Sequence, residues 1–296
     1  MPWIAVERRF MNFAEELLLT KDQLDDGVIK QLGVRQSLQR AYYGLRTDDP
    51  PGMLVGSWGR TTQVRPSSDI DVLFVLPASE KARFDNYSGN GQSALLQEVK
   101  SVLQQTYPAT DMRGDGQVVQ VKFNSIMVEI LPAFRSSENY TFHFPDTHNG
   151  GSWKASHPEF EQASFTVIDQ DSAGNFRKVI RMMKCWKRHC NIEIKSFILE
   201  HIIYEFFRQY DLKRKSFFWY DWIIRDFFGF LISMMNRQVW IPNDTAYVSV
   251  GDEWGNKANV AYGDAIEACR LEYEDLSVSA GLAWQRLFGP RIEAAL

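Results

Sequence analysis

The feature that most constrains this chain is an apolar run at residues 69–76, DIDVLFVL, which opens with two aspartates one residue apart. Alternate side chains of a β-strand lie on the same face, so Asp69 and Asp71 are predicted to project side by side. Apolar residues follow on both faces, which indicates a strand in the centre of a sheet rather than a solvated edge strand. Two like charges on such a strand repel each other, and a divalent cation with oxygen ligands would offset that repulsion.

A Gly-Ser turn precedes this strand and fits a phosphate site. Residues 53–55 predict a short strand, Gly56 and Ser57 predict the turn out of it, and the following residues are expected to open a helix. The free N–H groups and positive dipole end of a helix favour an anion. Eleven residues separate Ser57 from Asp69. This spacing places a potential phosphate cradle next to the paired carboxylates.

A third carboxylate stands in a predicted hairpin formed by residues 117–123 and 126–131. Glu129 is the only acid in the second of these strands, and a buried lone carboxylate is costly without a partner. If the hairpin lies beside the strand with the two aspartates, Glu129 completes a three-carboxylate metal site. The alternatives are a solvated edge position for Glu129 or a pairing with Lys122 across the hairpin.

Composition limits the classes of protein that this chain can represent. The 296 residues carry a net charge of −4, so a global basic field for general nucleic-acid binding is not expected. Three cysteines fit a reducing compartment without a disulfide framework. Neither a signal-peptide core nor an unbroken apolar span is evident, so we expect a cytoplasmic protein without a membrane segment.

The order of predicted elements gives an α+β fold with two domains. Helical periodicity covers residues 5–46, the strands and turn described above follow, and a polar loop is expected at 140–158. The second half is predicted to be helical, with helices at 173–190, 196–210, 217–235, 262–276 and 277–287. We therefore predict a catalytic core with a mixed sheet at 1–158 and a helical lobe at 159–296.

The Gly-Ser turn and the Asp-x-Asp strand, taken together, resemble the signature of the DNA-polymerase-β-like nucleotidyltransferases. The segment VEILPAF, residues 128–134, resembles the third-carboxylate strand of the bacterial CD-NTases, relatives of animal cyclic GMP-AMP synthase and oligoadenylate synthetase. That family usually has Asp at this position, so Glu129 is a departure that keeps the charge and adds a methylene. RMMKCWK at 181–187 and IKSFILE at 194–200 resemble the second-lobe signature of the same family.

This resemblance implies a site and a reaction. The implied ligands of two Mg²⁺ ions, with Mn²⁺ as a substitute, are Asp69, Asp71 and Glu129. The implied contacts to the triphosphate of a donor nucleotide are Gly56, Ser57, Lys184 and Ser196. A ribose hydroxyl attacks the α-phosphate, and the product is a cyclic di- or trinucleotide second messenger of the CBASS anti-phage systems. ATP is expected as one substrate, and regulatory or conjugating CBASS proteins are expected as partners.

Three other functions are compatible with the same residues. One is a linear oligoadenylate synthetase or an enzyme that adds nucleotides to an RNA end, although the latter favours a basic surface track. Another is a toxin that nucleotidylates proteins or tRNA. A third is a non-catalytic nucleotide-binding module, which loss of a carboxylate would mark; all three acids are present.

Overall fold

The computed structural model describes residues 4–67, 69–136, 141–242 and 246–296, with the side chain of Ile4 excepted. Two compact units are present. We call residues Leu19–Gln162 the sheet unit, and Met1–Leu18 together with Ala163–Leu296 the helical unit. The first helix, α1 (Ile4–Glu16), belongs to the helical unit. The predicted domain division at residue 158 stays a prediction.

The sheet unit is built around one mixed sheet. Its elements in chain order are α2 (Lys21–Tyr43), β1 (Met53–Leu54), α3 (Gly56–Gly59), β2 (Asp69–Val75), α4 (Ala78–Asp85), α5 (Gly91–Thr106), β3 (Asp111–Asp115), β4 (Val118–Lys122), β5 (Met127–Arg135), β6 (Phe142–Asp146) and β7 (Ser152–Ser156). The main strand order is β1-β2-β5-β4-β3, and β6 pairs with β5 and β7. Strand β2 runs parallel to β5 and antiparallel to β1.

Strand β2 lies inside the sheet, which confirms the prediction from its two apolar faces. Ile70, Val72 and Phe74 are fully buried in the main core, which also takes in apolar side chains of α2 and α5. Leu73 belongs to a smaller cluster on the other face. Since side chains alternate along a strand, Asp69 and Asp71 share the face of Leu73. The main core therefore holds the strand while leaving the aspartates on the opposite face.

The helical unit also contains a β-hairpin. The α6 helix (Pro158–Asp171) includes the boundary at residue 162. After it come α7 (Asn175–His189), α8 (Ser196–Gln209), α9 (Tyr220–Ser233), β8 (Gln238–Ile241), β9 (Ala246–Ser249), α10 (Gly255–Tyr273) and α11 (Ser277–Phe288). The predicted helices are present. The antiparallel β8–β9 pair was missed, because its strands are only four residues long. None of the described helices is long and apolar enough to cross a membrane.

A buried arginine fastens the last residues of the chain to α1. Arg9 is fully buried and pairs with Glu272, which is also buried. Its Nε donates to the carbonyl of Glu293 at 2.9 Å, and Nη2 donates to the carbonyl of Ser277 at 2.6 Å. Burial lowers the pKa of Arg9 and raises that of Glu272. The segment near Glu293 is thus hydrogen-bonded to α1.

One further segment differs from the sequence prediction. The segment 140–158, predicted as a loop, forms the antiparallel pair β6–β7. Residue 140 lies outside the described residues. The polar composition that suggested loops is that of solvated elements: residues of β7 are half-buried or exposed. The α2 helix is capped by Thr20 through a capping box with Gln23.

Candidate active site

The register of β2 and β5 brings the three predicted carboxylates to one face of the sheet. Asp71 is the direct strand partner of Glu129, and Asp69 is the partner of Met127. Paired residues of neighbouring strands point to the same face, so Asp71 and Glu129 project together. Strand β5 is internal, which excludes the solvated-edge alternative for Glu129. Lys122 lies opposite Met127 rather than Glu129, and the alternative pairing of Lys122 with Glu129 across the hairpin is not formed.

Gly56 is packed directly against the Asp71 carboxylate. The backbone N–H of Val55 donates to the carbonyl of Asp71 at 2.9 Å, which ties the turn to β2. Gly56 has a φ of 55°, and a Cβ at this position would overlap Oδ2 of Asp71. Ser57 follows in the first turn of α3, which is only four residues long. The structure therefore joins Gly56 and Ser57 to the acidic strand, and only glycine fits against the carboxylate.

Residues of α6 hold the Gly-Ser turn in place. The side-chain amide of Gln162 donates to the carbonyl of Leu54 at 2.8 Å, next to Gly59. Arg60, which follows α3, forms a buried ion pair with Glu161 at 3.1 Å. Glu161 and Gln162 could not be identified from the sequence, because their partners lie about a hundred residues earlier in the chain. No local pattern indicates such a contact.

Glu129 is half-buried and hydrogen-bonded. Nε2 of Gln120, its partner on β4, donates to Oε1 of Glu129 at 2.8 Å. Burial is the main cause that raises the pKa of Glu129 above its usual value, and the charge of Asp69 adds to it. The hydrogen bond from Gln120 acts in the opposite direction. The ionised form is thus disfavoured by its surroundings and stabilised by one donor.

The carboxylates fit a divalent cation by chemistry and by position. Carboxylate oxygens are the ligands that Mg²⁺ prefers. The negative charge of Asp69 repels the carboxylate of Glu129 and raises its pKa, and a bound cation would relieve that repulsion. Within the residues that the structure describes, no three acidic, His or Cys side chains are already arranged closely enough to hold an ion. The three acids nevertheless share one face of the sheet.

Lys184 and Ser196 lie in the helical unit and form a group of their own. The Nζ of Lys184 pairs with Oε1 of the buried Glu200 at 2.5 Å. Ser196 begins α8 and stands four residues before Glu200, so the two share one face of that helix. The ion pair therefore holds Lys184 beside the face that carries Ser196. The phosphate-binding role of both residues stays a prediction.

Comparisons with known proteins agree on a family and a fold. The Second Messenger Oligonucleotide or Dinucleotide Synthetase domain matches residues 4–167. A probable cyclic nucleotide synthase of Bacillus cereus is 23% identical over 271 residues, which cover 79% of this chain and 80% of that protein.

Solved structures extend the similarity to almost the whole chain. CdnC of Escherichia coli MS115-1, solved with ATP and in a complex with a HORMA protein, is similar with a TM-score of 0.69. It is 18% or 19% identical, with coverage of 97% of this chain and 98% of that one. Escherichia coli DncV, solved with 3′-deoxy GTP, gives a TM-score of 0.71 at 15% identity, with 94% and 93% covered.

We predict that Gly56→Ala lowers turnover about a hundredfold, because a methyl group at this position displaces the Asp71 carboxylate by a distance that catalysis does not tolerate. Steady-state kinetics measures the loss, and circular dichroism checks that the fold is kept. Gly263→Ala is the control, since a Cβ there meets no atom within 4 Å. Wild-type turnover in Gly56→Ala would contradict this contact.

We further predict that Glu129→Gln raises the melting temperature of the metal-free protein at neutral pH. The raised pKa of Glu129 means that its stabilising contribution is complete below the ordinary value of about 4.3 and is lost as the pH rises through the folded-state pKa. The increase in melting temperature caused by Glu129→Gln should therefore disappear at acidic pH. Thermal melts across pH test this, and added Mg²⁺ should raise the wild-type melting temperature more than that of Glu129→Gln. A variant that is less stable than the wild type at neutral pH contradicts the sign.

Proposed function

This chain belongs to the Second Messenger Oligonucleotide or Dinucleotide Synthetase family and is a CD-NTase nucleotidyltransferase, and we propose that it joins nucleoside triphosphates into a cyclic di- or trinucleotide. The observation that carries the proposal is the register pairing of Asp71 with Glu129, with Gly56 packed against Asp71. It places three acids and a glycine turn on one side of the sheet. That is the arrangement expected for phosphoryl transfer, in which positioning and charge neutralisation supply most of the catalysis.

In this proposal Asp69, Asp71 and Glu129 hold two Mg²⁺ ions, or Mn²⁺ in their place. When bound, the ions would neutralise the charge that develops on the attacking and leaving oxygens. The protein's own task is to keep the three carboxylates on one face of a rigid strand pair. Buried Ile70 and Val72 perform that task, because they anchor β2 on the side opposite the acids.

The triphosphate of the donor nucleotide is proposed to lie against the Gly-Ser turn. Gly56 lets the backbone approach the phosphates where a side chain would obstruct them, and Ser57 offers a hydroxyl and an N–H group of the first turn of α3. Lys184 and Ser196 are proposed to contact the same triphosphate. The pairing of Lys184 with Glu200 restrains the ammonium group, so that less conformational entropy is lost when phosphate binds.

Glu129 is proposed to accept the proton of the attacking ribose hydroxyl. Carboxylates serve as general bases in enzymes, and a bound metal ion would assist by lowering the pKa of the hydroxyl. The other two carboxylates then serve chiefly as ligands. Glu129 differs from the two aspartates of β2 in lying on β5, where Gln120 donates a hydrogen bond to its Oε1.

The biological role proposed here is anti-phage signalling of the CBASS type in the cytoplasm, with ATP as one substrate. The similarity to CdnC, which has been solved with ATP and with a HORMA protein, supports both ATP and a regulatory protein partner. A conjugating partner at the chain end is a further proposal, and it would have to release or accommodate the contact between Arg9 and Glu293. Linear oligonucleotide synthesis is the main competing outcome.

The experiment is a product assay. Purified protein is incubated with the four nucleoside triphosphates and Mg²⁺, treated with phosphatase and analysed by mass spectrometry. We expect a phosphatase-resistant compound with the mass of a cyclic di- or trinucleotide, and its loss in Asp69→Ala/Asp71→Ala, because that variant lacks two of the three acids. A ladder of phosphatase-sensitive linear products would support an oligoadenylate-type synthetase instead. Full activity of the double variant would overturn the proposed site.

A further inference from the structure

We infer that Gln120 is a positioning residue that orients the Glu129 carboxylate for metal binding, and that Arg113 in turn orients Gln120. The inference rests on the proposed function, since it assumes that Glu129 is a metal ligand. It concerns residues that the sequence patterns did not single out. Arg113, Gln120 and Glu129 lie on the adjacent strands β3, β4 and β5, within the sheet unit.

The four side chains form one row across the sheet. Arg113 on β3 is the strand partner of Gln120 on β4, Gln120 is the partner of Glu129 on β5, and Glu129 is the partner of Asp71 on β2. Nε of Arg113 donates to Oε1 of Gln120 at 2.9 Å, and Nε2 of Gln120 donates to Oε1 of Glu129 at 2.8 Å. A continuous hydrogen-bonded chain thus runs from an exposed arginine to a half-buried carboxylate.

The chemistry of the neighbours fixes the direction of the Gln120 amide. A guanidinium group only donates hydrogen bonds, and an ionised carboxylate only accepts them. The amide must therefore turn its oxygen to Arg113 and its NH₂ group to Glu129. The reversed amide would face donor with donor and acceptor with acceptor. Arg113 also pairs with Asp115 at 2.8 Å, which restrains the guanidinium at the outer end of the row.

Glutamate at this position needs such support more than aspartate would. Its side chain has one more rotatable bond, so the carboxylate samples more positions and loses more entropy when it is fixed. The hydrogen bond from Gln120 to Oε1 restricts that freedom. Partners that hold a metal ligand in this way typically contribute about 10–100-fold in metal affinity or activity.

The test compares Gln120→Met with Lys122→Met. Both changes place methionine on β4, on the same face, but Lys122 lies opposite Met127 and outside the row. We expect Gln120→Met to weaken Mn²⁺ binding by about 10–100-fold, measured without nucleotide by electron paramagnetic resonance of free Mn²⁺. The half-saturating Mg²⁺ concentration for product formation should rise in parallel. Lys122→Met should not weaken Mn²⁺ binding, because it only removes a positive charge from the same sheet face. Unchanged Mn²⁺ affinity in folded Gln120→Met overturns the inference.

A second set of variants tests whether Gln120 acts through Glu129. In a Glu129→Asp background the carboxylate is one methylene farther from Gln120, so Gln120→Met should have little further effect on Mn²⁺ affinity. Equal effects of Gln120→Met in both backgrounds would contradict positioning. Arg113→Met alters an exposed residue, so this variant should fold even if Gln120→Met does not. It should weaken Mn²⁺ binding by a smaller factor than Gln120→Met. Unchanged Mn²⁺ binding in Arg113→Met would contradict the role of Arg113 in orienting Gln120.

Glu129→Ala distinguishes a failure of the role inferred for Gln120 from a failure of the proposed function. Loss of Mn²⁺ binding in Glu129→Ala, with normal binding in Gln120→Met and Arg113→Met, would leave the proposed function standing and overturn only the role of Gln120. Normal Mn²⁺ binding and normal product formation in Glu129→Ala would overturn both. Circular dichroism and thermal melts of each variant exclude a loss of fold as the cause.

Discussion

Three carboxylates that repel one another must be held on one face of the sheet, and the rest of the sheet unit depends on this constraint. Burial and the charge of Asp69 both raise the pKa of Glu129, so the metal-free arrangement is under electrostatic strain. That strain is sustained because the opposite face of β2 and β5 is buried in the main core. Gly56 then closes against Asp71, where any side chain would collide with it. The core, the strand register and the glycine turn together position the carboxylates.

Much of this arrangement could be predicted from the sequence, because its signals are local. The alternation of Asp69, Ile70 and Asp71 gave the shared face, and the apolar residues on both sides gave a central strand, which the structure confirms. The hairpin that carries Glu129 was also predicted. Its parallel register with β2 was only a condition in the sequence argument, because a pairing between distant strands leaves no periodic trace.

The elements that sequence reasoning missed are short or depend on distant partners. The α4 helix and the β6–β7 and β8–β9 pairs are composed of polar or brief segments that look like loops. Gln120 reads as an ordinary exposed strand residue until the register places it opposite Glu129. Glu200 carried a weaker signal than Glu129, as one of two acids in the largely apolar helix α8. Its partner Lys184 lies on a different helix and could not be identified from spacing.

The proposed site requires Asp69, Asp71 and Glu129 to act together as metal ligands beside the Gly-Ser turn. An anomalous difference map from crystals grown with Mn²⁺ and a non-hydrolysable ATP analogue tests this requirement. We expect Mn²⁺ peaks coordinated by all three carboxylates, with the triphosphate against Gly56 and Ser57. Mn²⁺ bound elsewhere, or bound by the aspartates with Glu129 turned away, would contradict it.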